Sequence, residues 1–217
     1  MSGDRPADWS DRSYYLAMRD GVRLAVSLYF PDGVLPKEPV PVLLIQTRYG
    51  RAGVRRKGQP RSLDPWLAAG FVVAVVDVRG STSSFGARTT ELGPEEQADM
   101  DEIIAHVAAA PWSSGKVIAT GVSYTANTAD MATSRPAPAL IAAIPRQTDF
   151  DFWELFWPGG IFNRTMFRHW MGGIYETDFG RPRTRMGAVA NPAEAGLDAR
   201  ERPGDSRGLF PTLQPVD

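Results

Sequence analysis

"VIATGVSYTAN", residues 117–127, runs from an apolar stretch through a serine turn into small residues suited to a helix. Two readings fit Ser123 at that junction. Serine is favoured as a helix N-cap, where its hydroxyl accepts a hydrogen bond from a first-turn N–H. The same kind of turn can instead expose the hydroxyl as a nucleophile and aim the next residue's N–H at a developing oxyanion. Gly121 stands two residues before the serine, but Thr125 stands where the general G-x-S-x-G pattern has its second glycine. The local stretch therefore leaves both readings open.

Working outward, apolar runs bounded by turn residues recur at 21–30, 41–46, 71–78, 116–122 and 139–144. The first alternates, as a half-buried strand does. The others are nearly continuous and rich in Val and Ile, which suits strands covered on both faces. Between them, Met100, Ile103, Ile104, Val107 and Ala108 recur at helical spacing over 94–109. Pro94 fits the first turn of that helix, Glu95 and Glu96 complement its positive end, and Pro111 ends it. A shorter helix fits 65–69. Strands alternating with helices predict an α/β fold with a mostly parallel sheet and flanking helices.

Composition narrows the function classes. With 43% hydrophobic and 23% charged residues in 217, the chain reads as one soluble domain with a sizeable core. A formal charge of −1 gives no overall pull towards nucleic acid or anionic membrane, so neither is expected as a partner. Six basic residues between Arg48 and Arg61 read as a solvated surface, with a nucleic-acid surface as the alternative. The absence of cysteine excludes disulfides and thiolate metal sites. MSGDRPADWSDR at the start has no apolar leader, and the expected location is cytoplasmic. No G-x-G-x-x-G or P-loop follows an expected strand, which argues against a nucleotide-binding domain.

TRYGR (47–51), DVRGSTSSFG (77–86), APWSSGKV (110–117), GVSY (121–124) and PGG (158–160) occur in an order that resembles the X-Pro dipeptidyl-peptidase-like hydrolases, the CocE/NonD family that includes cocaine esterase. MRDGVRLAVSLYFP (18–31) is also similar to that family's opening strands, so the resemblance covers about residues 14–164. It implies an α/β-hydrolase core that cleaves ester or amide bonds through an acyl-enzyme, without metal or organic cofactor. Ser123 matches the nucleophile of the family's G-x-S-Y-x-G turn. Tyr124 would give its main-chain N–H to the oxyanion, and Tyr49 matches the tyrosine whose hydroxyl completes the oxyanion hole. A phenol stays protonated at neutral pH and can make that donation. Asp77 and Arg79 are expected to brace a loop rather than to act in catalysis, and Trp112 to pack. Ala126 departs from the last glycine of the pattern, which adds a methyl where helix and strand approach and is expected to displace the turn slightly.

A nucleophilic serine needs a base and an orienting carboxylate, in the order Ser, Asp or Glu, His in this fold. His106 precedes the serine and shares the polar side of its helix with Asp99 and Glu102, so it reads as solvated. His169 follows, with Asp149 and Asp151 between, but lies in the aromatic segment 152–170 that resembles the start of the family's helical cap. The expected organisation is the N-terminal part of an α/β-hydrolase domain (1–150), the start of a cap (151–180) and a disordered tail (181–217), lacking the C-terminal strands and most of the cap. Such a truncated chain would leave a sheet edge open to self-association. The function expected is serine hydrolysis of ester or peptide bonds. The alternative is a non-catalytic hydrolase remnant that binds a ligand or partner.

Overall fold

The computed structural model describes residues 12–51, 63–88, 90–149 and 151–178, with side chains up to residue 172. Six strands form one sheet: β1 Arg12–Ala17, β2 Arg23–Tyr29, β3 Val40–Thr47, β4 Val72–Asp77, β5 Ser113–Val122 and β6 Leu140–Arg146. Their spatial order is β1-β2-β4-β3-β5-β6. β2 is antiparallel to β1 and β4, whereas β4, β3, β5 and β6 run parallel to one another. Parallel neighbours need a crossover, and a helix occupies each one. These are α1 (Asp64–Ala68), α2 (Pro94–Ala108) and α3 (Tyr124–Ala132), and α4 (Phe152–Phe156) and α5 (Arg164–Asp178) follow β6.

The period-2 geometry of the strands explains their continuous apolar runs. Leu43 and Ile45 of β3 and Val73 and Val75 of β4 face Leu63 and Leu67 around α1. Val42, Leu44, Val72, Ala74 and Val76 point the other way, into a core closed by Met100, Ile103, Ile104 and Val107 of α2 and by Ala129 and Ala132 of α3. Both faces of the central strands are therefore dry along their middles, and the buried polar residues Gln46, Thr47 and Asp77 fall at the carboxyl ends of β3 and β4. Trp112 packs edge-on against Phe30 in the larger core.

Two strands differ from expectation. β2 is buried over six of its seven residues rather than half-buried, because its polar Ser27 faces a buried partner and not water. Ser27 Oγ accepts from Arg51 Nε at 3.0 Å. β6 is the reverse: its run suggested cover on both faces, yet Ile141 and Ile144 are exposed. Among the described residues no strand pairs with its outer edge. β1 was not foreseen, since only Tyr14 and Leu16 in RSYYLA reach the core and the strand carries no clear pattern.

The basic stretch is corrected in part. Arg48 and Arg51 are buried and ion-paired, not solvated, while residues 52–62 lie outside the described residues. Arg51 meets Asp77 at the end of β4, with its main-chain N–H 2.6 Å from Oδ1 and Nη1 2.9 Å from Oδ2. Arg79 forks onto Asp99 with two bonds of 2.6 Å and reaches Asp20 at 2.9 Å. Asp99 is thus buried in an ion pair and does not share a wet helix face with His106. The expected tail, 181–217, lies outside the described residues.

Candidate active site

The site sits at the carboxyl ends of β3 and β5, which are neighbours in the sheet. In open α/β sheets this is where ligands bind, because successive loops diverge there. β5 ends at Val122 and α3 begins at Tyr124, so a single residue, Ser123, makes the whole turn. Its φ of 61° and ψ of −133° are a conformation that non-glycine residues rarely adopt, with strain of about 1–3 kcal/mol. The hydroxyl makes no capping bond to the helix. The capping reading of the turn is therefore not what the geometry contains.

Neighbouring residues hold this turn. A Cβ on Gly121 would lie 2.2 Å from the carbonyl carbon and oxygen of Thr125 and 2.3 Å from its Oγ1, so glycine is required at 121. Thr125 Oγ1 accepts from the Val122 N–H at 2.7 Å and donates to the Val122 carbonyl at 2.8 Å. A threonine thus takes the place of the second glycine by bonding back to the strand end. Ala126 is fully buried, and its N–H donates to the Ser123 carbonyl at 2.7 Å. Asn127 ties the helix to the loop after β6: its Oδ1 accepts from Thr148 Oγ1 at 2.6 Å and from the Asp149 N–H at 3.1 Å.

Tyr49 arrives from the loop after β3. Its hydroxyl lies 3.3 Å from Ser123 Oγ, and its ring meets the Tyr124 ring edge-on at 6.1 Å. The Tyr49 N–H donates to Thr47 Oγ1 at 2.9 Å, which fixes the start of the loop. The three residues singled out from the sequence, Tyr49, Ser123 and Tyr124, are therefore brought together.

Neither histidine joins them. His106 Nε2 is 2.9 Å from the Tyr14 hydroxyl, on the side of α2 that faces β1. Three strands separate β1 from β5. Burial lowers the His106 pKa and pushes that of Tyr14 up to about 12. His169 is exposed on α5. Asp149 is engaged by Asn127 Nδ2 at 3.3 Å, and Asp151 caps α4 by accepting from the Glu154 N–H at 2.8 Å. Among the described residues the one side-chain hydrogen bond to Ser123 is the contact with the Tyr49 hydroxyl.

A buried polar cluster behind the serine was not read from the sequence. Tyr124 donates to Glu96 Oε1 and accepts from Arg88 Nη1 at 3.2 Å. Arg88 also reaches Glu91 at 3.1 Å, and Glu91 is bonded to Arg48. Glu96, placed by the sequence at the positive end of α2, is buried there, with its side chain 2% exposed. Burial raises its pKa, with Arg88 opposing that effect, and burial also raises the pKa of the Tyr124 phenol. The signal available was the acidic TELGPEE stretch (90–96) close after Arg88, which helix-end chemistry already explained. Trp170 of α5 lies over the Arg48 guanidinium at 5.2 Å and joins an aromatic cluster centred on Phe156.

A mostly parallel sheet with flanking helices and a strained serine at a strand-to-helix turn is the α/β-hydrolase fold. The chain belongs to the X-Pro dipeptidyl-peptidase (S15) family, which it matches over residues 20–207. A protein named as a serine esterase in Mycobacterium bovis is 36% identical over 165 residues, 69% of this chain and 26% of that protein. A cocaine esterase of Rhodococcus is 33% identical over 146 residues, 66% of this chain and 25% of that one. The chain spans about a quarter of the length of these relatives. Among solved structures, a CocE/NonD family hydrolase from Staphylococcus aureus superposes with a TM-score of 0.66 at 26% identity, over 76% of this chain and 32% of that one. An α-amino acid ester hydrolase gives 0.56 at 28% identity, over 71% and 29%.

Proposed function

We propose that this chain carries the nucleophile and oxyanion hole of a serine hydrolase acting on ester or peptide acyl bonds. The observation that carries the reading is the Tyr49 hydroxyl 3.3 Å from the Oγ of a serine held at φ 61°. In this reaction Ser123 Oγ attacks the acyl carbonyl carbon and gives up its proton. The carbonyl oxygen becomes an oxyanion bound by the Tyr49 hydroxyl and the Tyr124 N–H. The bond to the leaving alcohol or amine then breaks, that group takes up a proton, and water releases the acyl group from Ser123. Donors fixed in advance at the site of developing charge are commonly the largest catalytic contribution.

In this reading Ser123, Tyr49 and Tyr124 are the site residues, residues 1–150 are the N-terminal part of the hydrolase domain and residues 151–180 begin a cap. Trp170 against Arg48 supports the cap assignment, because it sets α5 beside the oxyanion loop. The partner is a small-molecule ester or peptide. The open edge of β6 extends the reading to self-association, supported by the exposed Ile141 and Ile144. Among the described residues no helix is long and apolar enough to cross a membrane.

The second reading, a ligand-binding or partner-binding hydrolase remnant, is favoured by one observation: neither histidine is hydrogen-bonded to Ser123 among the described residues. Turnover of an activated aryl ester separates the two. Turnover that disappears in Ser123→Ala supports the hydrolase, and turnover unchanged by that substitution rejects it.

A further inference from the structure

The two oxyanion donors hang on one buried ionic cluster. Tyr124 is 2% exposed, and its hydroxyl is held between Glu96 of α2, to which it donates, and Arg88, from which it accepts at 3.2 Å. Arg88 Nη1 also lies 3.7 Å from Glu96 Oε2 and 3.1 Å from Glu91 Oε2. Glu91 closes the set by pairing with Arg48, the residue before Tyr49, and the Arg48 guanidinium lies over the Tyr124 ring at 5.6 Å. Glu96 is itself fixed, since its Oε2 accepts from the Leu92 N–H at 3.2 Å. Two arginines and two glutamates balance in charge, and the side chains of Arg48, Arg88 and Glu96 are no more than 5% exposed.

We propose that Glu96 and Arg88, together with Glu91 and Arg48, are positioning residues for the oxyanion hole. The proposal rests on the hydrolase reading above. None of the four touches the Ser123 hydroxyl. They act through Tyr124, whose clamped ring sets the direction of its own main-chain N–H at the first helical position, and through Arg48, which anchors the backbone carrying Tyr49. A buried, charge-balanced cluster suits this task, because one partner cannot move without leaving another charge uncompensated. Oxyanion donors need such rigidity, since a displacement of about 1 Å lowers rate by about 10²-fold.

The test compares Glu96→Gln, which keeps an acceptor for the Tyr124 hydroxyl, with Glu96→Leu, which keeps only volume. Backbone amide ¹H–¹⁵N resonances of Tyr49 and Tyr124, the rate of fluorophosphonate labelling at Ser123 and the thermal midpoint are measured on the full chain. Glu96→Leu is expected to shift both amides and slow labelling about tenfold or more, with Glu96→Gln, which keeps the acceptor but not the charge, shifted and slowed less in both. Wild-type amide positions in Glu96→Leu would overturn the proposal. So would labelling that slows equally in both variants in step with their thermal midpoints, since that is the pattern of a purely structural pair. If Glu96→Leu does not fold, Tyr124→Phe, which removes only the hydroxyl from the cluster, is held to the same readouts. If the wild-type chain does not label, the hydrolase reading fails, while the amide shifts still decide whether the cluster positions Tyr49 and Tyr124.

Discussion

The Tyr49 hydroxyl lies 3.3 Å from Ser123 Oγ, bridging the loop after β3 and the turn after β5. These strands are hydrogen-bonded neighbours, so the relationship is set by the sheet and not by a mobile contact. Removing that hydroxyl takes away one of the two proposed oxyanion donors and leaves Ser123 in place. Tyr49→Phe is expected to lower acylation of Ser123 by about 10²- to 10³-fold, the range seen for loss of one such donor. Circular dichroism should be unchanged, and an acylation rate equal to wild type would remove Tyr49 from the site.

Gly121 tests the turn itself. Its missing Cβ leaves the room that the Thr125 backbone occupies, and backbone cannot rotate away as a side-chain tip can. Gly121→Ala is expected to destabilise the chain by at least the 1–3 kcal/mol typical of overpacking, read from a denaturant midpoint. Gly115, where an added Cβ meets nothing within 4 Å, is the control for contact, although its φ of 78° still brings a smaller backbone strain.

The Arg51–Asp77 pair is buried on both sides, with side-chain exposures of 1% and 0%. Asp77→Ala leaves a guanidinium without its carboxylate in the interior, and a loss of about 3–5 kcal/mol is expected. The double variant Asp77→Leu with Arg51→Met should recover much of that loss. A single variant as stable as wild type would show that the pair does not brace the end of β4.

Stability should depend on pH through Glu96. Its folded pKa is raised from 4.5 by burial, so between these values the native state holds a proton that the unfolded chain has released. Its contribution is therefore most favourable below about 4.5 and is lost as pH rises through the folded value. Glu96→Gln is expected to flatten that decline in a series of unfolding curves across the acidic range. An unchanged pH dependence would contradict the burial of this carboxyl.

Association should map to β6. Ile141 and Ile144 are exposed on a strand whose outer edge is unpaired among the described residues, and edges of this kind invite pairing. Ile141→Lys is expected to shift the chain towards monomer in light scattering, because charge on an edge strand opposes pairing. Equal association with and without the lysine would place the contact elsewhere.

How much of this was legible follows from the kind of signal each feature leaves. The runs of β3 and β4 were visible because central strands of a parallel sheet are covered on both faces, and α2 was visible from its 3.6-residue period. β1 was not, since an edge strand with two core residues leaves no periodicity. β2 misled because Ser27 is satisfied by Arg51, 24 residues away, and such partners are invisible locally. Tyr49, Ser123 and Tyr124 could be singled out, and the fold brings them together, because the order of several motifs carries more information than GVSY alone. The cluster of Arg48, Arg88, Glu91 and Glu96 was missed because charged residues in loops and at helix starts ordinarily face water, and only their convergence on Tyr124 shows otherwise.

The central claim is that Ser123 is a competent nucleophile. Incubation of the folded chain with a fluorophosphonate, followed by peptide mass spectrometry, tests it most directly. One adduct is expected, on Ser123, formed more slowly in Tyr49→Phe and absent in Ser123→Ala. A folded wild-type chain that carries no adduct at Ser123, or one that labels equally well in Ser123→Ala, would contradict it.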